Sequence, residues 1–285
     1  MRRRIWSETL PLAEHGEPAV LRCLAAAGVE VLLAVRPWQL AEIAAIVERV
    51  RGEGLVVGLW PMLADADGRW ASVHSIAAFI AFTDALLGAA PACDELVIDL
   101  EPPLEVLARW KALRPAGSWS RGYGAARAAL SAAVVRWRST GASAVGRRVT
   151  TAVLPLLALE ARGEWLQRAL GTPATALPVD AHNVMAYSSL YEGWSHGLVG
   201  RRGAERLVAL TARLARLRFG ARAAISLGCI GRGAFGDEPG YRAIGELERD
   251  VAIARASGIE EIALFDLGGA VRRGDLAGWL GALRG

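Results

Sequence analysis

The sequence predicts a single (β/α)8 barrel occupying residues 1–285, and three observations carry that prediction. Eight apolar, strand-like runs alternate with segments of helical periodicity at spacings of about 25 to 45 residues, the rhythm of parallel strands joined by right-handed crossovers. No glycine-rich dinucleotide fingerprint follows the first run, which argues against an open, doubly wound sheet. Polar or aromatic residues recur at the carboxyl end of nearly every run, and in a barrel those ends converge on the face where sites are built.

The elements follow in order. The first run centres on Ile5-Trp6-Ser7, and a helix over 18–27 stops at Gly28. Residues 29–35 are almost wholly apolar, as a strand buried on both faces should be, and 37–51 carries helical spacing through Leu40, Ile43, Ile46, Val47 and Val50. A third run, 55–63, passes through a polar turn into a helix over 73–87. That turn, Asp65-Ala66-Asp67-Gly68, starts like a calcium loop but lacks the remaining ligands and the closing Glu. The fourth run, 93–101, ends in two carboxylates, Asp99 and Glu101, and is stopped by Pro102 and Pro103.

A longer loop at about 102–124 comes next, of the kind that usually helps build a site. A helix over 125–139, a fifth run at 148–154 and helical residues around 160–170 lead to the sixth run, 181–188. Helix 201–218, the seventh run at 223–230, helix 241–256, the eighth run at 261–267 and a closing helix to Leu283 complete the pattern.

Composition narrows the function. The longest apolar runs fall well short of the roughly 18 residues a membrane span needs, and the basic start Met1-Arg2-Arg3-Arg4 has no apolar stretch behind it. A soluble protein without an export signal or a membrane partner is expected. Cys23, Cys93 and Cys229 are odd in number and widely spaced, which points to a reducing cytoplasm with neither disulfide framework nor zinc site, and no cofactor is called for. Net charge is only +4, and the arginines are scattered beside acids, so nucleic acid is not the expected partner. Lys111 is the single lysine, a bias that reads as a GC-rich bacterial genome; lying after the fourth run, it also argues against Schiff-base chemistry.

The chemistry concentrates at Asp99 and Glu101. Alternate residues of a strand share a face, so the two acids project together with α-carbons roughly 6 to 7 Å apart. Like charges held that close raise the pKa of one partner, keeping one carboxyl protonated as a general acid while the other stays ionised. Around them, Trp6, Glu8, Trp60, Met185, Tyr187, Ser188 and Asp266 stand at or near strand ends. Aromatic faces stack on sugar rings and carboxylates move protons at a glycosidic oxygen, so a carbohydrate ligand is the partner these residue types suit. His182 has no second ligand at metal spacing and reads as a structural residue. The glycine-rich stretch 228–236 reads equally as a mobile loop or as a phosphate cradle with Arg232.

Asp94 to Glu101 resembles the DxxDxDxE strand of glycoside hydrolase family 18, the chitinase and endo-N-acetylglucosaminidase family. Met185-Ala186-Tyr187-Ser188 is similar to that family's MxYD strand, and Leu264 to Gly269 to its last strand, with Phe265 or Asp266 where the family has Trp. The resemblance implies that Glu101 protonates the leaving oxygen and that Asp99 orients the substrate's acetamido group, whose carbonyl oxygen is the nucleophile. Tyr187 would hydrogen-bond that carbonyl in this substrate-assisted, retaining scheme. Val97 stands where the pattern has an Asp, and Ser188 replaces the Asp of MxYD. Two other outcomes therefore stay open: a catalytically silent sugar-binding barrel, and a hydrolase of non-acetylated sugars using a second carboxylate such as Asp266 or Glu8.

Overall fold

The computed structural model describes residues 1–111, 121–140, 146–160, 162–195, 197–231 and 239–285. Among them, eight strands follow one another in sequence order around a closed parallel barrel, as the sequence predicts. The order is β1 (Arg2–Ser7), α1 (Pro18–Ala27), β2 (Glu30–Val35), α2 (Ile43–Gly52), β3 (Val57–Pro61), α3 (Ile76–Ala89), β4 (Glu95–Leu100), α4 (Leu104–Lys111), α5 (Tyr123–Ser139), β5 (Arg148–Val153) and α6 (Trp165–Leu170). Then come β6 (Ala181–Met185), α7 (Ser188–Trp194), α8 (Arg201–Phe219), β7 (Ala223–Gly228), α9 (Ile244–Ala256), β8 (Glu261–Phe265), α10 (Leu267–Arg272) and α11 (Leu276–Ala282).

Every residue of β3, β4 and β7 is buried, which is why these runs are mostly apolar on both faces, the acids Glu95 and Asp99 of β4 and Ser226 of β7 being the exceptions. Gly28 ends α1 in the left-handed conformation at φ 60°, where a side chain would be strained. Asp275 caps α11 by accepting from the Gly278 amide.

Two compact units make up the chain: Met1–Leu33, Glu48–Val57 and Asn183–Gly285 form the first, Ala34–Val47 and Gly58–His182 the second. In the first, the Trp6 indole N–H donates to Ser226 Oγ at 2.8 Å, passing over β8, and Ser226 donates on to Asn183 Oδ1 at 2.8 Å. Side chains from β1 and β7 can meet across an intervening strand only if both point inward, so Trp6, Ser226 and Asn183 line the barrel interior. Arg4, two residues before Trp6, shares that face and is fully buried; it pairs with Glu261 and Glu30 at the amino end of the strands.

In the second unit, α5 is tied to α3 by Trp137, whose indole donates to Asp84 at 2.6 Å, and by Arg136 on the same carboxylate. His182 precedes inward-facing Asn183 and so points out, toward Thr151, its 2.9 Å partner. Thr150 and Ala152 consequently face inward, and the β4–β5 register sets Val97 and Asp99 beside them.

Two elements differ from expectation. The loop at about 102–124 contains α4, which starts where the Pro103 carbonyl accepts the Val106 and Leu107 amides at 2.9 and 3.2 Å; a proline pair that stops a strand also suits a helix start. Residues 112–120 of that loop lie outside the described residues. The sixth strand stops at Met185, not Ser188, because the Tyr187 carbonyl collects the Leu190 and Tyr191 amides at 3.1 and 3.2 Å and opens α7.

Candidate functional site

Asp99 is 2% exposed and Glu101 9%, both at the carboxyl end of β4. Glu95, Val97, Asp99 and Glu101 share the inner face, while Leu96, Ile98 and Leu100 take the other. Ala152 is the register partner of Asp99, so a methyl group stands beside the carboxylate. Glu95, deeper on the same face, is held by the Thr150 hydroxyl at 2.5 Å and by Arg148 at 3.5 Å. Val97 separates it from Asp99. Because Gly58 is registered to Glu95, Trp60 lies on the acid-bearing face as well, 4% exposed.

The connection after β3 is fastened to this strand. The Ala71 amide donates to the Asp99 carbonyl at 2.9 Å, and Val73 donates to the Gly171 carbonyl at 2.8 Å. Arg69 forks onto Asp65 at 2.7 and 2.9 Å, holding Asp65 below the usual carboxylate range chiefly through that hydrogen bond. Trp70 is 3% exposed, and its indole nitrogen has no hydrogen-bond partner among the described residues.

The remaining predicted residues belong to the first unit. Continuing the alternation from Asn183, Met185 and Tyr187 also face inward, and both are partly exposed where the rest of β6 is buried. The Tyr187 ring lies 5.8 Å from that of Phe265. Gly228 makes this packing possible, since a Cβ there would sit 3.2 Å from the Tyr187 ring and 3.1 Å from the Phe265 carbonyl. Glu8 is partly exposed just beyond β1.

Trp6, Ser188 and Asp266 are internal. The Trp6 indole is committed to Ser226, as above. Ser188 is fully buried; it donates to Asp250 and accepts from Arg201 at 2.8 Å, and Asp250 also takes Arg201 at 2.6 Å and the Tyr241 hydroxyl at 2.7 Å. Burial pushes the Asp250 carboxyl up despite these donors, and pushes the Tyr241 hydroxyl well up. Asp266, fully buried, accepts from the Thr9 amide and hydroxyl at 3.0 and 2.7 Å and caps α10 through the Gly269 amide at 2.8 Å.

Sequence reasoning passed over two features. Trp38 and Trp165 are 68% and 63% exposed on the connections after β2 and β5, unusual exposure for the residue type that stacks best on sugars. Ser7, ending β1, bonds His15 Nε2 at 2.6 Å, while His15 Nδ1 lies 3.0 Å from the Leu12 carbonyl. A carbonyl can only accept, so Nδ1 carries the proton and Nε2 accepts from Ser7. Both residues are buried, and burial pulls the His15 pKa down. No spacing rule connects a serine to a histidine eight residues on.

Among the described residues no cluster of three or more His, Cys, Asp or Glu could hold a metal ion, the three cysteines are free, and no helix is long and apolar enough to cross a membrane. Arg232 to Gly236, the latter part of the glycine-rich stretch, lie outside the described residues.

No protein-family profile matches the sequence, and no curated protein matches it. Solved structures do align with it end to end. The glycoside hydrolase domain of PgaB (BpsB) from Bordetella bronchiseptica superposes with TM-score 0.63 at 11% identity, over 99% of each chain. A D-allulose 3-epimerase from Methylomonas sp. gives 0.53 at 13% identity, over 100% of this chain and 96% of its own. The chitinase RmChi1 from Rhizomucor miehei gives 0.52 at 14%, over 99% and 98%. Likeness at such identities shows the barrel fold alone, which hosts many chemistries.

Proposed function

We propose that this chain is a glycosidase-like protein that hydrolyses an N-acetylhexosamine-containing glycan with retention, by substrate-assisted catalysis. The observation that carries the reading is the pair Asp99 and Glu101, adjacent on the inner face at the carboxyl end of one barrel strand and almost wholly removed from water. Paired carboxyls held away from water at a strand end are the arrangement that proton transfer at a glycosidic oxygen needs. Glycoside hydrolases among the structures of like fold support the reading.

In this scheme Glu101 gives its proton to the leaving glycosidic oxygen. The acetamido carbonyl oxygen of the substrate attacks the anomeric carbon, and Asp99 accepts from the acetamido N–H and balances the positive charge that builds on the ring so formed. Glu101, now ionised, takes a proton from the water that opens the ring, restoring both groups. Ala152, the strand neighbour of Asp99, puts only a methyl group beside the acetamido position, and motif resemblance assigns Tyr187 the carbonyl contact. Trp60 supplies an apolar wall beside the acids, while Trp38 and Trp165 offer exposed stacking faces.

The second reading, a sugar-binding barrel without turnover, is favoured by Val97: it puts an isopropyl group where the family pattern puts an acid that shares a proton with the Asp99 position. Asp266 is poorly suited to act as a second carboxylate, since Thr9 and Gly269 occupy it. Hydrolysis assays on chitin oligomers, N-glycans and peptidoglycan fragments separate the two readings. Turnover abolished by Glu101→Gln supports the enzyme. Binding without turnover, indifferent to Glu101→Gln, supports the silent form.

A further inference from the structure

Helix α8 has two apolar faces. One, made of Ala204, Val208, Thr211, Ala212, Ala215 and Phe219, is buried. The other consists of Leu207, Leu210, Leu214 and Leu217, spaced 3, 4 and 3 residues apart. Leu207, Leu210 and Leu217 are 37%, 50% and 84% exposed, and Leu214 is half-buried. A single exposed leucine is ordinary, whereas four in register along one helix form a patch. At 100° per residue they span about 80° of the helix, narrower than a core-facing stripe and matching the a/d seam of a coiled coil.

Charge then selects the occupant. Arg206 and Arg213 each precede a seam leucine and stand one heptad apart, where flanking charges of a coiled coil choose the partner. Both are exposed, and neither makes an ion pair among the described residues; the same holds for Arg202 and Arg216. Glu205, the one acid of α8, is taken up by Arg201 and Arg249, each at 3.0 Å. The charges of α8 that make no ion pair among the described residues are therefore all basic and stand beside an apolar seam. A second copy of this chain would set arginine against arginine. An anionic bilayer favours a broader apolar face with aromatic anchors, and this seam has none.

We propose that the Leu207–Leu217 face of α8 docks an acidic amphipathic helix of a partner protein, with apolar residues in its own seam and Glu or Asp beside them. The test uses the full chain and a fluorescent synthetic peptide of about three heptads with Leu at a and d and Glu at e and g, read by anisotropy. Binding is expected for the acidic peptide, falling at least about tenfold for a version with Lys at e and g, and weakening as salt rises. Leu210→Glu with Leu217→Glu should lower affinity by a similar factor, and Arg206→Glu with Arg213→Glu should reverse the preference to the Lys peptide. The peptide swap and the salt series need no variant, so they decide the matter even if a variant fails to fold. No binding, or equal binding of both peptides, overturns the proposal. So does co-sedimentation with phosphatidylserine vesicles in place of peptide binding, or a leucine-dependent dimer in light scattering.

Discussion

The Asp99 carbonyl oxygen accepts the Ala71 amide at 2.9 Å, so the backbone that carries the buried acid also anchors the connection following β3. The side chain and the main chain of one residue thus act in different layers: the carboxyl faces the barrel interior, and the carbonyl holds in place the segment bearing Trp70. A substitution confined to the Asp99 carboxyl leaves that anchor intact, which makes Asp99→Asn an interpretable probe.

For Asp99→Asn we expect turnover of an N-acetylated substrate to fall by several powers of ten while glycan affinity stays nearly unchanged, because an amide cannot balance the cationic ring that forms during reaction. A thiazoline analogue of that ring should bind the wild-type protein far more tightly than the parent sugar. Equal affinity for analogue and sugar would contradict the substrate-assisted scheme. Calorimetry on both ligands, alongside steady-state kinetics, reads the two effects separately.

The network of Ser188, Asp250, Arg201 and Tyr241 predicts a stability effect unrelated to turnover chemistry. Asp250→Ala removes the fully buried carboxylate that receives Arg201, Tyr241 and Ser188, leaving the largely buried Arg201 guanidinium with only the less buried Glu205 as counter-ion. Breaking a buried pair from one side costs roughly 3 to 5 kcal/mol. Urea titration should show a lower midpoint at an unchanged slope; a midpoint equal to wild type would mean the network contributes nothing.

His15 predicts a pH dependence. Its folded pKa lies below 6.5, mainly through burial, although the Leu12 and Pro11 carbonyls and the Asp266 charge pull the other way. A depressed folded pKa means that the unfolded chain takes up a proton first as pH falls. The stability linked to His15 is therefore complete above about 6.5 and is lost as pH drops toward the folded pKa. His15→Gln should flatten the fall of the urea midpoint between about pH 7 and 5.5. An identical slope in wild type and variant would remove His15 as the cause.

Much of the fold was legible because a barrel writes itself in periods. Residues 95–100 and 223–228 read as mostly apolar runs since both faces of β4 and β7 are buried, and helix punctuation such as Gly28 is a local backbone property. The acid pair was legible for the same reason: a two-residue spacing on a strand fixes a shared face. What local pattern cannot carry is the choice among long-range partners. Asp266 at a strand end reads as a site acid, whereas Thr9, 257 residues away, and Gly269 occupy its carboxylate. Ser188 looked like a strand-end polar group, yet its hydroxyl meets Asp250 and Arg201 from helices that no short spacing links to it.

If Glu101 donates the proton to the leaving oxygen, its loss should matter in proportion to how much protonation the leaving group needs. Wild type and Glu101→Gln are assayed on chitin oligomers and on a 4-nitrophenyl N-acetyl-β-glucosaminide, a substrate whose leaving group needs little protonation. We expect hydrolysis by wild type, loss of oligomer cleavage by about three powers of ten in the variant, and a much smaller loss on the activated aryl glycoside. Equal losses on both substrates, or oligomer cleavage unaffected by the substitution, would contradict that role for Glu101.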